Sequence, residues 1–276
     1  MTVFGINTVN SSPEQFMKFG INSLTNLFPF SESLVYNNEI IFNQHPELQK
    51  IEGKKVLIVG GGPSTKEVSW NKIDVDYIFS VNNFFKSEEY KDLKVDFFSV
   101  GAEVDIEGSL FNDYVNKYKP FLLFEHHGRW QHMKDYFNNF YSNYKNMSCY
   151  FTRAYGKLGV GIRLLILCSF LKAKEIYFVG LDGCPGLSVK DKKFKEEKHS
   201  FEKGKNTLPY QVNKQNAYSI FYKQYEEFWN YAINFLYLNK VTSLYNLGEN
   251  SEYNFSSIWS KKLFPLNEKL ITKIKK

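Results

Sequence analysis

Between residues 54 and 247, short apolar runs alternate with longer polar or amphipathic stretches. Lys54-Lys55 leads into Val56-Leu57-Ile58-Val59, a β-branched run that ends at Gly60-Gly61-Gly62. Such a run entering glycines predicts a strand followed by a tight turn. Further strands are predicted at Tyr77-Ile78-Phe79-Ser80-Val81, at Val95 to Val100, at Phe121-Leu122-Leu123-Phe124, at Glu175 to Val179 and at Val241 to Leu247. Residues 159–171, rich in Leu, Ile and Val, predict a buried helix. Residues 213–238 predict a long helix with Tyr, Phe and Trp on one side, and residues 130–144 a helix-like aromatic stretch. Ser12-Pro13-Glu14-Gln15 carries a helix-start signature, with the serine as N-cap, the proline in the first turn and the glutamine in capping-box position.

These elements divide the chain into an N-terminal helical appendage (1–50), a Rossmann-like nucleotide-binding domain (51–258) and a basic C-terminal tail (259–276). Within the domain, residues 185–212 are polar, lysine-rich and without periodicity, which predicts a lid or a disordered loop. Strands alternating with helices predict an α/β fold: a doubly wound, mainly parallel sheet with helices on both faces. Right-handed crossovers then set the strand carboxyl ends along one edge, where open α/β sheets bind their ligands. The loop of residues 60–64, Asn82-Asn83, Gly101 and Asp182 all fall on that edge.

Composition narrows the function classes. With 43% hydrophobic and 18% aromatic residues, the chain can bury a large core. The formal charge of +6 comes from 35 basic and 29 acidic residues, and much of the excess follows Trp259. That is a modest balance without a nucleic-acid module, so no nucleic-acid partner is expected and a phosphate-bearing substrate fits better. Cys149, Cys168 and Cys184 match no zinc spacing and point to a reducing compartment. No apolar run reaches the roughly 18 residues of a membrane span, and no signal peptide is visible. The expectation is a soluble cytoplasmic protein. The basic-apolar tail from Lys261 onward would allow peripheral contact with the inner membrane. A homo-oligomer is open.

Four stretches carry candidate chemistry. In Gly60-Gly61-Gly62-Pro63-Ser64, glycines allow close backbone approach to a phosphate, and N–H groups at the helix start can receive its charge. Pro63 fixes φ, and Ser64 can cap the helix or donate to a phosphate. No Gly-Lys-Ser/Thr follows, so this is not a P-loop, and Thr65 stands where a dinucleotide fingerprint needs its last glycine. Asn82 and Asn83, at a strand end, can read a base or ribose, because each amide both donates and accepts. In Gly180-Leu181-Asp182-Gly183, the carboxylate can orient a ribose, a sugar hydroxyl or a metal, or serve only as a turn residue. His199, in Lys198-His199-Ser200, is a candidate general base among lysines that can neutralise phosphate. His126-His127 follow the fourth strand, but adjacent histidines on extended chain diverge, so no metal site is expected there.

Taken in order, these pieces resemble the bacterial sialyltransferases of glycosyltransferase family 42. Val56 to Glu67 is similar to that family's opening strand and Gly-x-Gly-Pro-Ser loop. Val81-Asn82-Asn83-Phe84 resembles its Asn-Gln-Phe segment. Leu158-Gly159-Val160, followed by Lys174 to Asp182, resembles its Ser-Gly-Val helix and the next strand with its Gly-Ile-Asp ending. His199 falls where the family carries a loop histidine base. Leu158 stands for the family's serine, Gly183-Cys184-Pro185 for a tyrosine that stabilises the leaving phosphate, and Val100-Gly101 for a second nucleotide-contacting asparagine.

The resemblance implies a glycosyltransferase that moves a sialic-acid-like sugar from a nucleotide-sugar, CMP-linked, to a cell-surface glycan acceptor. It implies His199 as base, no metal and no cofactor beyond the donor. Gly60 to Ser64, Asn82, Asn83, Gly101, Gly159, Gly180 and Asp182 would bind the donor, with Asp182 also in the catalytic set. The same loop and Gly-x-Asp strand also resemble archaeal hydroxymethylpterin pyrophosphokinase-like proteins and motility-associated glycosylation factors. The alternatives are therefore a Mg²⁺-dependent pyrophosphokinase or other phosphoryl transferase, and a non-catalytic nucleotide-binding protein.

Overall fold

The computed structural model describes residues 2–3, 6–7, 46–101, 104–125, 144, 146–150, 160–182, 200–201 and 243–251. Strands β1 (Thr2–Val3) and β2 (Ile6–Asn7) form a small antiparallel pair. The main sheet has seven strands: β3 (Lys55–Val59), β4 (Tyr77–Val81), β5 (Phe97–Val100), β6 (Phe121–Glu125), β7 (Met147–Tyr150), β8 (Glu175–Val179) and β9 (Ser243–Asn246). The helices are α1 (Pro46–Gln49), α2 (Ser64–Glu67), α3 (Ser109–Tyr118) and α4 (Val160–Phe170), with 3₁₀ turns at Trp70–Lys72 and Phe84–Lys86.

Strand order is β7-β6-β5-β4-β3-β8-β9, and every pairing is parallel. The chain starts at β3, builds outward to β7, then returns to lay β8 on the other flank of β3. This is the expected doubly wound α/β arrangement, and it puts the reversal of strand order between β3 and β8. Register follows the apolar pattern. Leu57 lies opposite Ile78 on one side and Tyr177 on the other. Near-continuous runs such as Val56 to Val59 suit strands buried on both faces, and all four residues of β5 are buried.

Alternation along β5 sends its two phenylalanines to opposite faces. Phe97 stacks on Phe79 at 4.5 Å between ring centroids and meets Phe121 edge-on at 5.8 Å, a row across three strands. Phe98 instead packs edge-on against Phe84 at 4.9 Å and lies near Phe111 of α3, at 5.7 Å. In α3, Phe111, Tyr114 and Val115 form the buried stripe, and Lys119, at φ 50°, ends the helix with its N–H on the Val115 carbonyl.

The structure departs from the sequence expectations in places. Strand β7 and helix α3 were not foreseen. The run from Val95 begins as a strand only at Phe97; just before it, the Val95 N–H donates to the Tyr114 hydroxyl and the Asp96 carboxylate accepts from the Ile78 N–H. The helix after the glycine loop is a single turn. Its N-cap is Pro63, without a side-chain cap, so Ser64 does not cap it. The helix start at Ser12 to Gln15, the stretch 130–144 apart from Tyr144, the predicted helix at 213–238, most of the lid and the C-terminal tail lie outside the described residues. Among the described residues, no helix is long and apolar enough to cross a membrane.

Candidate functional site

The carboxyl ends of β3 and β8 meet at the reversal point, and the contact between their turns explains the glycines. A Cβ on Gly60 would stand 2.4 Å from the Gly180 carbonyl oxygen, and one on Gly62 would stand 2.3 Å from Asp182 Oδ2. Neither space exists for a side chain. Gly180 itself has φ +67°, in the left-handed region.

Asp182 is 6% exposed and is held by Ser64. The Ser64 N–H donates to Oδ2 at 2.9 Å, and the Ser64 hydroxyl pairs with Oδ1 at 2.5 Å. The same hydroxyl accepts from the Gly180 N–H at 3.0 Å. Burial drives the Asp182 carboxyl up to about 7; the two bonds from Ser64 oppose the rise, and Glu67 adds to it. Desolvation wins because the charged form loses its water shell, and two neutral donors replace only part of it. Ser64, expected to donate to a phosphate, spends both its donors on Asp182.

The remaining loop groups can be followed one by one. The N–H of Gly60 donates to the Val179 carbonyl at 2.8 Å and that of Gly62 to the Gly180 carbonyl at 2.9 Å. The Gly60 carbonyl accepts from Thr65 Oγ1 at 2.7 Å. The Gly61 carbonyl accepts from the Ser200 N–H at 2.7 Å, and the Gly62 carbonyl from Ser200 Oγ at 2.7 Å. Pro63 has no N–H. Among the described residues, the N–H of buried Gly61 is the one loop donor with no acceptor. A buried amide left unpaired costs about 1–3 kcal/mol, which a ligand oxygen or a water would relieve.

Asn82 and Gly101 come together beside this loop, at the ends of β4 and β5. Asn82 sits in the left-handed region at φ 52°, a conformation that asparagine tolerates better than most residues. Its Oδ1 accepts from the Gly101 N–H at 3.1 Å, and a Cβ on Gly101 would press on that oxygen at 2.6 Å. Val160, the first residue of α4, borders the same spot, and Gly161 abuts Leu181, where a Cβ would meet the leucine at 2.2 Å. Asn83 is buried and opens the 3₁₀ turn that sends Phe84 into the aromatic core.

The described candidates, namely Gly60 to Ser64, Asn82, Asn83, Gly101, Gly180 and Asp182, are thus gathered on one edge of the sheet. Gly159 and His199 lie outside the described residues, as do His126-His127 and Gly183. Three participants were not singled out from sequence. Thr65 was noted only as the residue replacing a glycine, Ser200 only as a neighbour of His199, and Val160 only as part of a helix. Ser200 and Phe201 are 3% and 1% exposed, and Phe201 packs edge-on against Tyr90 at 5.4 Å and Phe84 at 6.1 Å. Among the described residues, no group of His, Cys, Asp or Glu side chains is arranged to hold a metal ion. Cys168 is a free, buried thiol, and burial raises its pKa.

No family model matches this chain, and no curated protein matches it. Among solved structures it is similar to the monofunctional α-2,3-sialyltransferase Cst-I from Campylobacter jejuni. Identity is 16%, coverage is 85% of this chain and 82% of that one, and the TM-score is 0.48. It is also similar to an apo-form α-2,3-sialyltransferase from Campylobacter jejuni, at 16% identity, 86% and 83% coverage and a TM-score of 0.42.

Proposed function

We propose that the chain is a glycosyltransferase that moves a sialic-acid-like sugar from a CMP-linked donor to a glycan acceptor. The observation that carries this reading is the convergence of the glycine loop, Asn82, Gly101 and the Gly180–Asp182 turn at the reversal point of a doubly wound sheet. That crevice is where this architecture binds nucleotides. The sugar-transfer part rests on the motif resemblance drawn from the sequence.

In the proposed reaction, His199 takes the proton of the acceptor hydroxyl. The acceptor oxygen attacks the anomeric carbon, the bond from that carbon to the phosphate oxygen breaks, and CMP leaves with the electron pair. The role given to His199 rests on the sequence resemblance. Asp182 serves the site indirectly here: both its oxygens hold Ser64, so it braces the loop against β8 instead of meeting the donor.

The test is sugar transfer from CMP-sialic acid to a galactose-terminated acceptor, with the wild type and His199→Ala, each with and without EDTA. Turnover by the wild type that survives EDTA and is lost in His199→Ala, while CMP still binds the variant, supports the reading. Turnover that needs Mg²⁺ and ATP instead would favour phosphoryl transfer. Undiminished turnover in His199→Ala would remove that residue from the mechanism.

A further inference from the structure

We infer that Thr65 and Ser200 are positioning residues that aim the Gly61 N–H at a phosphate oxygen of the bound nucleotide. The inference rests on the nucleotide reading above and names the loop group that would meet the ligand.

A peptide unit is planar, and in its trans form the N–H points opposite to the C=O. The unit joining Gly60 to Gly61 carries the open N–H at one end. At the other end, its carbonyl accepts from Thr65 Oγ1 at 2.7 Å. Fixing that carbonyl fixes the direction of the Gly61 N–H. The next unit, Gly61 to Gly62, is held at both ends, by the Ser200 N–H on its carbonyl and by the Gly180 carbonyl on its N–H. The carbonyl of Gly62 is then held by Ser200 Oγ. With glycine at these positions, nothing in the residues themselves restrains the planes; the Thr65 hydroxyl, the Gly180 carbonyl, and the N–H and hydroxyl of Ser200 do so.

Both hydroxyls are themselves well placed. Thr65 is 2% exposed, and its own carbonyl accepts from Trp70 Nε1 at 3.0 Å. Ser200 is anchored by Phe201, its neighbour, among the rings of Tyr90 and Phe84. The ligand needs only an oxygen acceptor of negative charge, and the phosphate of CMP supplies one.

The experiment is calorimetric titration of the full chain with CMP and with cytidine, which lacks the phosphate. Wild type, Thr65→Val, Ser200→Ala and Thr65→Ser are compared, with ligand-free melting curves to confirm folding. The inference predicts that Thr65→Val and Ser200→Ala each bind CMP about tenfold more weakly, the size expected for disturbing one charge-assisted hydrogen bond. It predicts unchanged cytidine affinity and recovery in Thr65→Ser. Equal losses for CMP and cytidine would mean a structural role only and overturn it. So would wild-type CMP affinity in both variants. A wild type that binds cytidine and CMP equally well would overturn it while leaving a nucleoside site. A wild type that binds neither removes the nucleotide reading and this inference together.

Discussion

Asp182→Asn separates the charge of this carboxyl from its hydrogen bonds. The ordinary carboxyl value is 3.8, and burial raises this one to about 7. Between those values the folded protein holds a proton that the unfolded chain has released, so stability falls as pH rises and levels off above about pH 7. At 1.36 kcal/mol per pH unit within the window, Asp182 removes about 2–3 kcal/mol between about pH 5 and about pH 8. Asparagine reproduces the neutral acid. Its Oδ1 can accept from the Ser64 N–H and its Nδ2 can donate to the Ser64 hydroxyl, in place of the two observed contacts. The variant should therefore exceed the wild type by about 1–2 kcal/mol at about pH 5 and by about 4 kcal/mol at about pH 8, a gap that widens by about 2–3 kcal/mol across the range. Urea unfolding of both proteins across that range, at constant ionic strength, measures the difference and cancels every group they share. Parallel pH profiles would refute the argument that Asp182 is protonated in the folded state. A variant weaker at every pH would mean that the carboxylate form, not the acid, fits the site.

Three further changes probe the same edge. Gly60→Ala would press a methyl group onto the Gly180 carbonyl, a backbone atom, and should cost about 1–3 kcal/mol in denaturant unfolding; a neutral result would mean that the two turns are not in close contact. Asn82→Ala loses the bond to Gly101 and also asparagine's tolerance of φ 52°, whereas Asn82→Gly loses the bond but adopts that φ without strain. Melting temperatures should therefore rank wild type above glycine above alanine, and alanine above glycine would contradict the observed backbone. Phe201→Ala empties a fully buried ring site between Tyr90 and Phe84, with a loss of about 3–5 kcal/mol expected by calorimetry, and a loss below about 1 kcal/mol would show that Ser200–Phe201 is not anchored there.

The sheet was largely legible because parallel strands buried on both faces read as short β-branched and aromatic runs. Val56 to Val59, Tyr77 to Val81 and Glu175 to Val179 all stand out that way. Met147-Ser148-Cys149-Tyr150 did not, since an edge strand of four residues with a polar member has too little pattern to separate from a loop. Helix α3 was legible in principle, because Phe111, Tyr114, Val115 and Tyr118 follow helical spacing, but its asparagines and aspartate hid that stripe. At the site, topology alone was enough to bring the glycine loop, Asn82, Gly101 and Asp182 to one edge. What each does there was not legible. The bonds from Ser64 to Asp182 and from Ser200 to Gly61 and Gly62 span more than a hundred residues, and no local signal encodes them. The loop therefore reads in sequence as a phosphate cradle with many donors, whereas in the fold most of its donors serve the end of β8 and the turn after it, and among the described residues one remains open.

The most direct test of the central claim, a nucleotide site at the β3–β8 reversal point, is the melting temperature of the full chain with CMP, CDP, UDP, GDP, ADP and ATP, each with and without Mg²⁺. A ligand at one hundred times its Kd stabilises the native state by about 2.7 kcal/mol, enough to move the transition by several degrees. The account predicts a rise with CMP that is the same with and without Mg²⁺. A rise only with ATP and Mg²⁺, or no rise with any nucleotide, would contradict it.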